Sequence, residues 1–222
     1  NRARGITAVP YVPPVSPAAS GSFTRYPVTV MGKEITVESP LSGRHQLRNV
    51  ALAIATAEEL SRHGFNITPE TIERGIRETR WPGRFQVVPA KDGTREIVLD
   101  VAHNPAGAWA LHSALSERYE GRPLTIIFGA MRDKAIPEMA EILFPMAEHV
   151  VATAAENPRS ASPEEIREAG ARTSADIVTA NDVPSAIRKA RELVSQDGVI
   201  VITGSIYVVG EAMRELGITP SV

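Results

Sequence analysis

Cysteine is missing from all 222 residues, so neither a disulfide framework nor thiolate chemistry is available, and the compartment leans to the cytoplasm. A membrane span is missing too. The longest apolar run, "VIVITGSIYVVG" at 199–210, is too short and too broken by glycine to cross a bilayer. It reads as a buried strand leading into a turn. Nor does one sign of charge dominate, since 24 Lys and Arg stand against 26 Asp and Glu for a formal net charge of −2. That gives no electrostatic case for nucleic acid or an anionic membrane as the main partner.

Familiar chemical signatures are absent as well. No GxGxxG follows a strand, which argues against a standard dinucleotide site, and no GxxxxGK(S/T) is present to cradle a triphosphate. "TGSIYVVG" holds Ser205 but lacks the GxSxG elbow of a hydrolase. The five histidines, His45, His63, His103, His112 and His149, show no zinc-ligand spacing.

What is present is a change of texture along the chain. The opening "NRARGITAVPYVPPVSPAASGSFTRYP" has no methionine, no signal peptide and the composition of a loop, and reads as the start of a C-terminal piece cut from a longer protein. "YPVTVMGKEITVES" (26–39) predicts a hairpin around Met31, Gly32 and Lys33. "RHQLRNVALAIATAEELSRHG" puts Leu47, Val50, Ala51, Ile54, Ala55 and Leu60 on a helical face that Gly64 ends. "TPETIERGIRET" adds a shorter helix with Thr68 as cap and Pro69 at its first position. "WPGR" (81–84) then breaks the pattern, because Trp81 before Pro82 must be extended and Gly83 frees the backbone to turn.

From Phe85 onward strands alternate with helices. Strands are predicted near 85–89, 96–101, 124–128, 149–153, 176–179 and 198–203, and helices near 105–119, 134–147, 163–170, 183–195 and 205–216. Most of these strands are continuous Val, Ile and Leu runs, as expected where helices cover both faces. Only the 85–101 pair, joined by "KDGT", reads as a hairpin. The fold class is α/β, with a mainly parallel, doubly wound sheet and right-handed crossovers. The boundary falls near residue 83, after a first part that is mostly helical and incomplete.

"IVLDVAHNPAGAWAL" (97–111) places Asp100, His103 and Asn104 where a strand hands over to a helix. Open α/β sheets bind ligands at such junctions. Asn104 as N-cap followed by Pro105 is a common pairing, which leaves Asp100 and His103 without a role. The parallel topology brings Asp100, His103 and Ser205 to one sheet edge, where "FGAMRDK" (128–134) ends an intervening strand. Plainer alternatives exist for each. Asp100 can cap the following turn, His103 can bond to backbone, and Ser205 can be an N-cap. Arg84 can be a surface ion-pair residue, Asn49 a local hydrogen-bonding residue, and Asp133 and Lys134 can pair with each other.

"SGRHQLRNVALAIA", "WPGRFQ", "VLDVAHNP", "FGAMRDK" and "ITGSIYVVGEA" occur in that order, and the stretch from 36 to 216 resembles folylpolyglutamate synthase/dihydrofolate synthase of the Mur ligase superfamily. The resemblance implies a Rossmann-like C-terminal domain over 84–222. Over 1–83 it implies a mostly helical remnant of a central ATPase domain, whose P-loop and Mg2+ ligands, a carbamylated lysine among them, lie upstream. The implied reaction is ATP-dependent amide formation: a pterin-linked carboxylate becomes an acyl phosphate and the amine of glutamate attacks it. The implied cofactors are ATP and Mg2+, and the partners are folate or dihydropteroate and L-glutamate, in a cytoplasmic monomer. The 222-residue chain alone is expected to be inactive.

Carried over residue by residue, the resemblance gives Asn49 to the adenine end of ATP, Arg84 to the phosphates and Asp100 to the nucleotide. His103 and Ser205 go to the amino-acid substrate, with Arg84 and His103 as the catalytic pair. Arginine suits phosphate because its planar fork donates two parallel bonds. A carboxylate beside phosphates is repelled, which places Asp100 at the ribose. His103 can donate to a carboxylate or accept from an amine, and the sequence does not choose the tautomer. Two other readings stand beside this one: a Mur ligase building cell-wall peptide on a uridine-linked substrate, and a non-catalytic Rossmann-like ligand-binding module. "WPGRFQ" and "DVAHNP" look more like the folate branch.

Overall fold

Met31 and Gly32, with φ of 50° and 79°, fold the chain back in a two-residue turn of the kind that matches strand twist. The computed structural model describes residues 11, 13, 18–20, 23–41, 43–90, 95–173 and 175–218. In it β1 (Ala18–Ser20), β2 (Phe23–Val30) and β3 (Lys33–Ser39) form an antiparallel sheet in that order. The hairpin expected over 26–39 is there. The loop expected up to Pro27 is corrected, because buried Tyr26 and Val30 alternate with exposed Arg25, Pro27 and Thr29 at strand period. Pro27 is tolerated because β1 pairs only as far as Arg25, so its missing N–H breaks no bond to β1. Most of the residues before Ala18 lie outside the described set.

The helices α1 (Arg44–Arg62) and α2 (Pro69–Arg77) follow. Gly64, at φ 91°, ends the first. Thr68 caps the second, its hydroxyl accepting from Thr71 N while Thr68 N donates back to Thr71 Oγ1. Leu47, Val50, Ala51 and Ile54 of α1 and Ile72 and Ile76 of α2 share one core with Tyr26, Val30, Ile35 and Val37. Leu60 does not join it and is 39% exposed. At about 100° per residue it sits two thirds of a turn away from Ile54. This first unit, residues 1–81, therefore carries a three-stranded sheet as well as the two expected helices.

The second unit runs from Pro82 to Val222, so the division falls slightly ahead of the expected boundary. Its strands are β4 (Gln86–Val88), β5 (Glu96–Leu99), β6 (Leu124–Phe128), β7 (His149–Thr153), β8 (Asp176–Ala180) and β9 (Val199–Thr203). They lie in the order β4-β5-β9-β6-β7-β8, all parallel except β4, which runs antiparallel to β5. The helices are α3 (Pro105–Arg118), α4 (Ile136–Leu143), α5 (Pro163–Ala169), α6 (Val183–Leu193) and α7 (Ile206–Glu215).

Alternation along each strand sets the layers. Val98, Ile126, Phe128, Val150 and Val201 pack with Leu111, Leu115, Met139, Leu143 and Ile166 of α3, α4 and α5. Their neighbours Leu99, Ile127, Val151, Ile200 and Ile202 pack with Ile187 of α6 and Val208, Val209 and Ala212 of α7. Both faces are covered, which is why these strands read as unbroken apolar runs. The helix expected over 134–147 is shorter. It stops at Leu143 and gives way to a 3-10 turn over Phe144–Met146, where Pro145 has no N–H to continue the α ladder. No helix among the described residues is long and apolar enough to cross a membrane.

Candidate functional site

Strand β9, last in sequence, lies between β5 and β6 at the middle of the sheet. The helices after β5 and β6 go to one face, and α7 after β9 goes to the other. The chain therefore diverges on both sides of β9, and the carboxyl edge beside it is the topological position where open α/β sheets take ligands. Two glycines let the strand ends close up there. A Cβ on Gly204 (φ 101°) would lie 2.5 Å from Gly129 O, and one on Gly129 would lie 2.5 Å from Thr153 O. Neither glycine stood out in the sequence reading. Their signal was a glycine directly after each of two buried strands, in "IIFGA" and "VITGS".

Arg84 stands in a tightly held turn. Gly83 before it has φ 73° and Phe85 after it has φ 47°. Among the described residues only Phe85 and Met31 adopt positive φ without being glycine, and for a bulky residue that conformation is strained. Three bonds hold it. Phe85 N donates to Asp100 Oδ2 at 2.8 Å, Val101 N donates to Gly83 O at 2.9 Å, and Gly83 N donates to Gln86 Oε1 at 3.0 Å. Phe85 itself is buried and stacks on Tyr119. Arg84 is half-buried.

Asp100 is 8% exposed. Its Oδ2 holds Phe85 N and its Oδ1 holds Ala102 N at 2.9 Å. The carboxylate thus organises the edge through main chain, the turn-capping role weighed above. Its own N–H continues the β5–β9 pairing by donating to Ile202 O at 3.0 Å. His103 is exposed, and its Nδ1 lies 3.0 Å from Val101 O. A carbonyl only accepts, so Nδ1 carries the proton and Nε2 is the bare, basic nitrogen. Asn104 caps α3 through Oδ1, which accepts from Gly107 N at 2.8 Å, and Pro105 opens the helix. Ser205 is buried and caps α7, its Oγ accepting from Tyr207 N at 3.1 Å.

Arg84, Asp100, His103 and Ser205 thus all belong to one edge of the second unit. Asn49 belongs to the first unit, on the exposed side of α1, where its Nδ2 donates to Gln46 Oε1 at 3.0 Å. Asp133 pairs with Lys134 at 3.1 Å and with Arg159 at 2.8 Å. Hydrogen bonds from Lys134 first, then from Arg159, hold its carboxyl below the usual range. A cavity of about 580 Å³ opens elsewhere, between the ends of β7 and β8 and the side of α7. Glu156, Asp182, Glu211 and Glu215 outnumber Arg214 on its wall, so it repels a polyphosphate. No group of three or more His, Asp or Glu among the described residues is arranged to hold a metal ion.

An open, doubly wound sheet with its polar residues and helix N-termini gathered at the carboxyl edge defines a Rossmann-like α/β domain. The sequence profile of the family described as "Mur ligase, glutamate ligase domain" matches residues 83–206, and the chain belongs to that family. It is 35% identical over 80% of its length to a probable bifunctional folylpolyglutamate synthase/dihydropteroate synthase of Haloferax volcanii. It is 32% identical over 83% of its length to the folylpolyglutamate synthase of Lacticaseibacillus casei. The Mycobacterium tuberculosis folylpolyglutamate synthase, solved in complex with ADP and AMPPCP, superposes with a TM-score of 0.79 at 25% identity over 93% of this chain. The chain spans 20%, 41% and 48% of these three proteins, respectively.

Proposed function

We propose that this chain is the carboxyl-terminal part of an ATP-dependent ligase that adds L-glutamate to folate or dihydropteroate through an acyl phosphate. The observation that carries the reading is the turn at Gly83–Phe85. It fixes an arginine at the carboxyl edge of a glutamate ligase domain. The named relatives and a neighbour solved with ADP and AMPPCP support it.

In this reading Arg84 meets the phosphates as charge moves from ATP to the substrate carboxylate, where a preorganised cation lowers the barrier without reorganising. The carboxylate oxygen bonds to the transferred phosphorus and ADP leaves. The glutamate amine then bonds to the acyl carbon and inorganic phosphate leaves, giving the amide. His103 Nε2, bare because Nδ1–H is spent on Val101 O, accepts a proton from the incoming ammonium and frees its lone pair. Asp100 and Ser205 act through the loop and helix start that they hold, and Asn49 meets the adenine end. The remaining length of the relatives supplies the phosphate cradle and the metal ligands, in a cytoplasmic monomer. The 222-residue chain by itself does not turn over.

The test is ADP release by the protein extended to the length of its relatives, with folate, dihydropteroate and a uridine-linked muramyl precursor offered in turn with glutamate. Turnover on either pterin substrate supports the reading. Turnover only on the muramyl precursor replaces it with the cell-wall ligase, and no turnover on any leaves a binding module.

A further inference from the structure

The three bonds around Arg84 differ in what else they do. Asp100 also holds Ala102 N, and the Val101–Gly83 bond is main chain to main chain. The bond from Gly83 N to Gln86 Oε1 is different. It comes from a half-buried side chain on the sheet's edge strand, and it acts on the residue directly before the arginine. A strained backbone persists only where its surroundings over-determine it, and such strain gathers at working sites. Here it gathers around Arg84. Position 83 is closely packed as well, since a Cβ added there would meet Val101 Cγ1 at 3.1 Å and Val209 Cγ1 at 3.2 Å, so the turn takes glycine in preference to any larger residue.

We propose that Gln86 is a positioning residue for Arg84: its Oε1 locks the Gly83 amide, which fixes the backbone from which the arginine projects. This rests on the reading that Arg84 meets the phosphates. Without the lock the turn samples other conformations, and the ordering of the arginine has to be supplied during the reaction instead of beforehand. The effect falls on the transition state more than on substrate capture. Glutamate serves as well as glutamine at position 86, because it keeps an acceptor oxygen at the same reach. Methionine fills the same volume and removes the acceptor.

Four variants of the protein extended to its relatives' length test this, with kcat and KM measured for ATP and glutamate. Gln86→Met is expected to lower kcat about two- to twelvefold, as loss of one net hydrogen bond would, with KM for glutamate nearly unchanged. Gln86→Glu is expected to recover most of the rate. Arg84→Ala slows turnover more than either. In the Arg84→Ala background Gln86→Met then has no further effect, because its action passes through the arginine. Amide exchange at Gly83, read on the 222-residue chain, should quicken about tenfold in Gln86→Met and not in Gln86→Glu.

Normal turnover in Gln86→Met beside a slow Arg84→Ala overturns the positioning role and leaves the phosphate reading standing. Normal turnover in Arg84→Ala overturns both. A further loss in the double variant, failure of Gln86→Glu to recover, or failure of Gln86→Met to fold makes Gln86 a stability residue and likewise overturns the proposal.

Discussion

Asp100 Oδ2 accepts the backbone N–H of Phe85 at 2.8 Å across 15 residues of sequence. The strand that ends in "VLD" and the turn that carries Arg84 are thereby one structure. The bond also explains how a bulky residue keeps a φ of 47°. An ionised carboxylate makes a stronger acceptor than a neutral group, strong enough to hold an amide that would otherwise relax.

Asp100→Ala leaves the amides of Phe85 and Ala102 without their acceptor in a buried place. At about 1–3 kcal/mol for each unsatisfied group, the second unit should lose about 2–5 kcal/mol. Urea unfolding of the 222-residue chain measures it. A loss below about 0.5 kcal/mol, with a raised ATP requirement in the longer protein, would restore Asp100 to the ribose.

His103 behaves in the opposite way, since its ring is exposed and, among the described residues, bonded to the carbonyl of Val101. His103→Ala should change stability by less than about 0.5 kcal/mol. In the longer protein it should raise the glutamate requirement and leave nucleotide affinity alone. Imidazole nitrogen shifts measured by NMR above the ring's titration should show the proton on Nδ1. A proton on Nε2 would remove its role as acceptor for the amine.

Gly204 and Gly210 make a matched pair, six residues apart. Alanine at Gly204 brings a methyl to 2.5 Å from Gly129 O at a φ of 101°, so about 2–5 kcal/mol should be lost to overpacking and backbone strain. At Gly210, inside α7, nothing lies within 4 Å of the added carbon. There alanine should stabilise by about 0.5–1 kcal/mol, because it restricts the unfolded chain and suits the helix. Thermal unfolding of the two variants reads both signs. Equal effects would mean that the β6 and β9 ends do not approach closely.

Periodicity made the second unit legible from sequence, because buried parallel strands leave unbroken apolar runs and helices between them leave capped ones. Ser162 and Asn104 cap helices that open with proline, and Asp182 caps one with proline at its second position. The first unit was less legible, since prolines and small residues before Tyr26 hid β1 and the first residues of β2, ahead of the hairpin that the alternation over 26–39 did reveal. The carboxyl edge was legible as the place where these polar residues gather, while their hydrogen-bond partners were not. Residue type says that Asp100 is an acceptor; only the fold says that its donors are the amides of Phe85 and Ala102. Gln86 gave no signal at all, because a glutamine at the start of an edge strand is unremarked until its oxygen is seen on Gly83 N.

The central place of β9 carries a consequence for synthesis. Translation delivers β5 and β6 long before it delivers the strand that joins them, since Glu96 and Leu124 both pair with Val199. At about 5–20 residues per second, β5 waits on the order of 5–20 s for its parallel neighbour. During that time two apolar strand edges stand open on the nascent chain, each a template for a wrong partner. The ribosome must therefore reach Val199 and the residues after it before the sheet can close. A message cut short before the codon for Val199 yields two half-sheets that cannot close, and its product belongs to chaperones and proteases.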